Sequence, residues 1–147
     1  MTSAIGEVPQ DLPALTRAIR ISEQAAAVGF DWTCMADIRA KISEELAELD
    51  AALEAADQRC SAEVMEEFGD LLVALVNLSR HLCMDPESAL RAASAKFEGR
   101  FRHMEQLAEE RGRSLQSLSA SEWDELWNEA KRAAPKREDA AAGRQAP

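Results

Sequence analysis

Apolar residues recur every three to four positions through most of the chain, and the stripes they form predict a succession of helices. The first opens at Pro13, which suits an initial helical turn. It carries Leu15, Ala18, Ile19, Ser22, Ala25 and Ala26 on one side, to about Val28. Gly29 ends it, and Phe30-Asp31-Trp32 forms a connector whose rings are expected to plug the core. Thr33 or Asp31 then caps a second helix, which carries Ile38, Ile42, Leu46, Leu49 and Leu53 to about Ala56. After a short polar break from Asp57 to Cys60, Ser61 caps a third helix running to about Leu82. Its apolar face is Val64, Phe68, Leu71, Leu75, Leu78 and Leu82, with Val73 and Val76 off that face. A helix apolar around so much of its circumference is central in a bundle or lies at a subunit interface, so an oligomer is expected.

Asp85 followed by Pro86 is a cap with proline at the first helical position. The fourth helix runs from there to about Glu110 or Arg111 on Leu90, Ala93, Phe97, Phe101 and Met104, and Gly112 is its stop. The Ser-rich stretch 113–120 reads as a loop. A last short helix opens with Ser121 as cap and Asp124 at the capping-box position, and Trp127 and Lys131 share one of its faces. No segment alternates as a strand does. The expected organisation is a loose arm over 1–12, one all-α domain over 13–134, and a disordered tail over 135–147.

Composition narrows the partners. The chain has 147 residues, 46% apolar and 30% charged, with six Gly and five Pro, which is a helix-favouring globular composition. A net charge of −10 argues against a nucleic-acid-binding surface. It leaves room for a phosphorylated small molecule, because a metal and local cations reverse the field at a site. The three cysteines, Cys34, Cys60 and Cys83, form no Cys-x-x-Cys pair. That suits a reducing, cytoplasmic location. The N-terminus has no signal-peptide apolar core. The longest apolar run, Leu71 to Val76, is far too short to span a membrane, so no membrane partner is expected.

The chemistry lies in the second and third helices. Glu45 and Glu48 stand three apart, as do Glu67 and Asp70, and residues so spaced are neighbours on a helix surface. Glu45 and Glu67 edge their apolar faces, and Asp70, Ala74, Asn77 and His81 continue the stripe of Glu67. The short break makes the two helices antiparallel neighbours. Each pair lies about ten to twelve residues from its centre, so at ~1.5 Å per residue they reach nearly the same level. Four half-buried carboxylates facing one another repel unless a cation joins them. Oxygen-only ligands suit Mg²⁺ or Mn²⁺ rather than zinc. Glu44 or Glu45 is placed to take a proton from water. Lys96 and Arg100, four apart on the fourth helix, count back to the level of Ala74 to Asp70 and suit a metal-bound phosphate. The plainer alternative is a set of solvated charges on amphipathic helices. A di-iron bundle wants Glu-x-x-His, which neither His81 nor His103 completes.

Taken together, an ordered set of segments resembles the MazG family of nucleoside triphosphate pyrophosphohydrolases. The set is Val28-Gly-Phe-Asp-Trp32, Lys41-Ile-Ser-Glu-Glu-Leu-Ala-Glu48, Glu66-Glu-Phe-Gly-Asp-Leu-Leu72, Val76-Asn-Leu-Ser-Arg-His81 and Lys96-Phe-Glu-Gly-Arg-Phe101, with Trp127 and Lys131. The likeness covers about Pro13 to Lys131 and is greatest to the C-terminal domain of long MazG proteins. It implies a four-helix core with an extra short C-terminal helix, assembled as a homodimer or a dimer of dimers. It also implies Mg²⁺-dependent hydrolysis of NTP or dNTP to the monophosphate and pyrophosphate, in nucleotide-pool housecleaning. Glu45, Glu48, Glu67 and Asp70 match the family's metal ligands. Lys41, Lys96, Arg100, Trp127 and Lys131 match positions that bind the nucleotide. Glu63 departs from the pattern, since long MazG proteins tend to carry lysine there, and the departure bears on one phosphate contact and on the triphosphate preference. A narrower enzyme for dUTP or a modified nucleotide, or a non-catalytic helical dimerisation module, are the alternatives.

Overall fold

The computed structural model describes residues 3–133. Five α-helices follow one another: α1 over Ala14–Ala27, α2 over Met35–Ala55, α3 over Ala62–His81, α4 over Pro86–Glu110 and α5 over Ala120–Ala133. No strand occurs among the described residues, so the fold is all-α as expected. Residues 3–12 carry no helix, and the stretch expected as a tail, 135–147, lies outside the described residues. No helix among the described residues is long and apolar enough to cross a membrane.

The first four helices end the same way. The residue after the cap takes a left-handed conformation, and its neighbour's N–H reaches back five residues to a helix carbonyl. Phe30 bonds to Ala25, Gln58 to Leu53, Met84 to Ser79 and Arg113 to Ala108 in this manner. The left-handed residues after the caps are Gly29 (φ 92°), Asp57 (52°), Cys83 (53°) and Gly112 (64°), and Gln58 (59°) follows Asp57 in the same region. The two glycines are the stops that the sequence marks. Asp57 and Cys83 do the same job with a side chain attached, which is why nothing in their identity announces it.

The helix starts are partly as expected. Ser61 accepts from the Val64 N–H at 3.1 Å, and Asp85 accepts from the N–H groups of Glu87 and Ser88 at 3.3 and 3.2 Å. Three expectations are corrected. Pro13 is the residue before α1 rather than part of it. Cys34 precedes α2 without a side-chain cap, because Asp31 faces Arg80 and Thr33 bonds to Asp37. At α5 the cap is Ser119 rather than Ser121. Ser119 Oγ accepts from the Glu122 N–H at 3.4 Å while Glu122 accepts from the Ser119 N–H at 2.8 Å, a closed capping box two residues upstream of the one expected. The loop before it holds a 3₁₀ turn, Leu115–Ser117.

The described chain packs as two compact units, one ending at Leu90 and one beginning at Arg91. In the first, α3 packs against both α2 and α1, around Ile38, Leu49, Ala52, Ala74 and Val76. The buried positions on α3 overturn the face expected from the sequence. Val76, placed off that face, is 2% exposed, while Phe68 is 53% exposed. Leu75 and Leu82 are exposed as well. In the second unit Met104, Ala108, Leu126 and Ala130 form the core between α4 and α5, with Leu107, Leu115, Leu118, Trp123 and Trp127 against it.

Candidate functional site

The α2–α3 pair brings side chains far apart in sequence to one point. One oxygen from each of Glu45, Glu67 and Asp70 lies within 4.8 Å of the others. Residues on either side of a short turn meet in this way when the two helices run antiparallel, so the equal spacing from the turn has its structural consequence. Glu45 is 5% exposed, a buried carboxylate among the apolar residues of α2. Glu67 is half-buried and Asp70 exposed, so the group opens to solvent along α3.

The electrostatics are those of a crowd of like charges. Loss of hydration pushes the Glu67 carboxyl up from its ordinary value, and the charges of Glu48, Asp70, Glu45 and Glu66 push it further. Glu48 is not one of the three converging carboxylates, yet its charge is the largest single one acting on Glu67. It therefore stands at the rim of the cluster. Lys41 Nζ supplies a cation, 2.7 Å from Glu45 Oε1 and 2.8 Å from Glu44 Oε1. Hydrogen bonds to Glu44 and then Glu45 raise its pKa. Lys41 thus holds acids rather than projecting freely towards a ligand. Glu44 faces solvent beside it and does not join the converging set.

Hard, anionic oxygen donors at this spacing fit a hard divalent cation. Such an ion relieves both the mutual repulsion and the lost hydration of Glu67. A soft metal would find neither sulfur nor imidazole among the three converging side chains.

Towards its C-terminus α3 carries a different cluster. The Arg80 guanidinium donates to both oxygens of Asp31, through Nη1 at 2.9 Å and through Nη2. Arg80 Nε donates to Ser22 Oγ at 2.9 Å, and Ser22 in turn donates to Asn77 Oδ1. His81 Nε2 lies 3.0 Å from Asp31 Oδ1. Arg80 holds the Asp31 carboxyl far below the usual carboxylate range, with help from His81 and the Trp32 N–H. The sequence places Asn77 and His81 on the carboxylate stripe but does not join Ser22, Asp31 and Arg80 to them. Periodicity reports one helix at a time, and these partners stand 49 to 58 residues apart.

The remaining expected residues belong to the second unit. Phe97 and Phe101 stack at 6.3 Å, Phe97 meets Trp127 at 5.3 Å, and Phe101 meets Trp123 at 6.2 Å. Arg100 and Lys131 both lie near the Trp127 ring, at 5.8 and 5.9 Å from its centre. Arg100, Trp127 and Lys131 are therefore one constellation, an indole flanked by two cations. Arg100 Nε is buried without a hydrogen-bond partner. Lys96 is exposed one turn earlier on α4.

The all-α scaffold thus presents converging carboxylates on the α2–α3 pair and, in the second unit, an indole flanked by two cations. Residues 35–105 match the MazG nucleotide pyrophosphohydrolase domain. That match falls within the stretch over which the ordered segments resemble the family. The chain is 51% identical over 130 residues to the nucleoside triphosphate pyrophosphohydrolase/pyrophosphatase MazG of Thermotoga maritima, covering 88% of this chain and 49% of that protein. It is 42% identical over 132 residues to a nucleoside triphosphate pyrophosphohydrolase of Escherichia coli K12, with 88% and 49% covered. It is also 48% identical over 65 residues to the protein YabN of Bacillus subtilis, covering 44% of this chain and 13% of that protein. The chain thus spans about half the length of the first two relatives.

Proposed function

We propose that the protein hydrolyses nucleoside triphosphates, NTP or dNTP, to the monophosphate and pyrophosphate with Mg²⁺ or Mn²⁺. The observation that carries this reading is the convergence of Glu45, Glu67 and Asp70 with Glu48 at the rim. The names of the two relatives matched over 88% of the chain support the substrate class. When bound, the divalent ion supplies charge neutralisation and a lowered pKa for water. Glu45, Glu67 and Asp70, with Glu48, would hold it. Of the two candidate bases, Glu44 is open to water, while Glu45 is buried. Both carboxylates pair with Lys41 Nζ, Glu44 at 2.8 Å and Glu45 at 2.7 Å. Lys96, Arg100 and Lys131 offset phosphate charge, and Trp127 offers a flat surface to the nucleotide.

The partner is a second copy of this chain. Met65, Phe68, Leu72 and Leu75 follow at three- and four-residue steps along α3, Leu82 at its C-terminal cap lies seven residues further on, and all are exposed. Such a stripe suits a facing helix. The biological setting that fits a broad pyrophosphohydrolase is nucleotide-pool housecleaning. Three exposed free cysteines suit the reducing cytoplasm. The test is pyrophosphate release across a panel of NTPs and dNTPs with Mg²⁺ and in excess chelator. Turnover confined to the metal-containing reactions is expected. Undiminished turnover in chelator removes the metal from the reading, and no turnover of any nucleotide removes the reading.

A further inference from the structure

We propose that Asn77 is a specificity-determining residue that donates a hydrogen bond to the nucleoside portion of the substrate, and that Ser22, Arg80 and Asp31 are positioning residues that hold its amide in the donating sense. The proposal rests on the pyrophosphohydrolase reading and concerns the end of the substrate opposite the metal.

The orientation of the Asn77 amide follows from its partners. One end of the amide lies 3.2 Å from the Val73 carbonyl oxygen, which can only accept. That end is therefore the NH₂, and the carbonyl end faces Ser22. Ser22 must donate its single proton there, which leaves its lone pairs for a donor. Arg80 Nε is that donor, at 2.9 Å, and a guanidinium cannot act otherwise. Asp31 holds the other side of Arg80 through two charged hydrogen bonds. Every link has one permitted direction, from Arg80 through Ser22 to Asn77. One amide hydrogen of Asn77 goes to Val73, and the second has no acceptor among the described residues.

Placement selects the ligand. Asn77 is seven residues beyond Asp70, on the same side of α3 and roughly 10 Å further along it. A triphosphate seated at the carboxylates leaves its nucleoside to extend away from them. The Asn77 end is poorly suited to phosphate, because the charge of Arg80 is already matched by Asp31. A neutral amide donor suits a sugar oxygen or a base carbonyl.

The experiment pairs two probes on the full chain with Mg²⁺: nucleotide turnover, and inhibition by inorganic tripolyphosphate, which has no nucleoside. Asn77→Ala is expected to raise the nucleotide KM about five- to thirtyfold with little change in kcat, as loss of one hydrogen bond does. The tripolyphosphate inhibition constant should stay as in the wild type. Asn77→Asp, which fills the same space but offers an acceptor, should be at least as impaired. Ser22→Ala, which frees the amide to turn, should shift KM in the same direction by a smaller factor, about two- to fivefold. An unchanged KM in both Asn77 variants of an active enzyme overturns the proposal. So does an equal loss of tripolyphosphate affinity, which would make Asn77 merely structural. A wild type that neither turns over a nucleotide nor responds to tripolyphosphate sinks the hydrolase reading itself, a different and recognisable result.

Discussion

The two halves of α3 treat charge in opposite ways. In the N-terminal half, Glu67 and Asp70 converge with Glu45 and have Glu48 nearby, and a carboxyl there is pushed up. In the C-terminal half, Asp31 meets Arg80 and His81, and a carboxyl there is pushed down. One helix thus carries a cluster that is complete within the chain and another that is not. Self-repelling, partly desolvated carboxylates weaken a fold. A chain gains from holding them together only when something else supplies the missing positive charge. The N-terminal half of α3 is thus the half where like charges gather, with Lys41 the one cation paired to Glu45 among the described residues.

The largest effect should come from breaking the incomplete cluster. Glu67→Gln and Asp70→Asn are each expected to reduce pyrophosphate release by about a hundredfold or more, the scale set by losing an electrostatic group at a reacting centre. The metal-free variants should melt no lower than the wild type, since each substitution removes one like charge. Glu48→Gln should act in the same direction from the rim. Near-wild-type release from either of the first two would show that the converging carboxylates hold no catalytic ion.

A second, smaller loss tests the unit beyond Leu90 against the carboxylate half. Lys96→Ala and Arg100→Ala should each lower kcat/KM by about ten- to a hundredfold, as loss of a charged hydrogen bond does. Mg²⁺ binding measured calorimetrically without nucleotide should survive, because neither cation ligates the ion. Kinetics and nucleotide affinity unchanged in both variants would leave the Trp127 constellation as packing.

The completed cluster should respond in stability. Arg80→Met leaves Asp31 without its main partner, and at 29% exposure water can compensate only in part. A loss of about 1–3 kcal/mol is expected from urea midpoints. Asp31→Asn combined with Arg80→Met should cost less than the sum of the two, because the second change removes a charge that the first has already left unpaired. Additive losses would mean the pair is not coupled.

How far these features were legible in the sequence depends on the distance over which they are encoded. Helix identities, the stops at Gly29 and Gly112, and the caps at Ser61 and Asp85 are local and could be read directly. The carboxylate convergence could also be read, since a short turn and equal spacing fix it. The buried face of α3 could not. Phe68, Leu75 and Leu82 outscore Ala74, Val76 and Ser79 in apolarity, yet the small residues are buried against α1 and α2 while the large ones are exposed. Apolar strength marks which surface is sticky, and packing within one chain does not always claim the stickiest. The α5 cap was misplaced because Ser119 and Ser121 are equally good caps, and the choice turned on whether Glu122 or Asp124 could reach back. The Ser22–Asn77–Arg80–Asp31 chain needs α1, the connector and α3 together, which no periodic signal contains.

The smallest effect, and the one that sets the two halves of α3 against each other most directly, is the pH dependence of stability without metal. Asp31 has its folded value lowered from 3.8, so its contribution is fully present above that pH and is lost as pH falls below it. Glu67 has its folded value raised from 4.5, which reverses the sign. Between 4.5 and its folded value the native state binds the Glu67 proton more tightly than the unfolded chain does. Stability therefore declines as pH rises through that interval, and the carboxylate stays a burden once ionised. Urea midpoints measured in chelator from pH 3 to 8 should show the decline in the wild type and its absence in Glu67→Gln. Asp31→Asn should instead lose the fall on the acid side. Saturating Mg²⁺ should abolish the decline in the wild type, because a cation favours the ionised form, and should leave the Asp31 limb in place. A decline that persists in Glu67→Gln would assign the slope to other groups and remove the claim that the carboxylate half of α3 is incomplete without its ion.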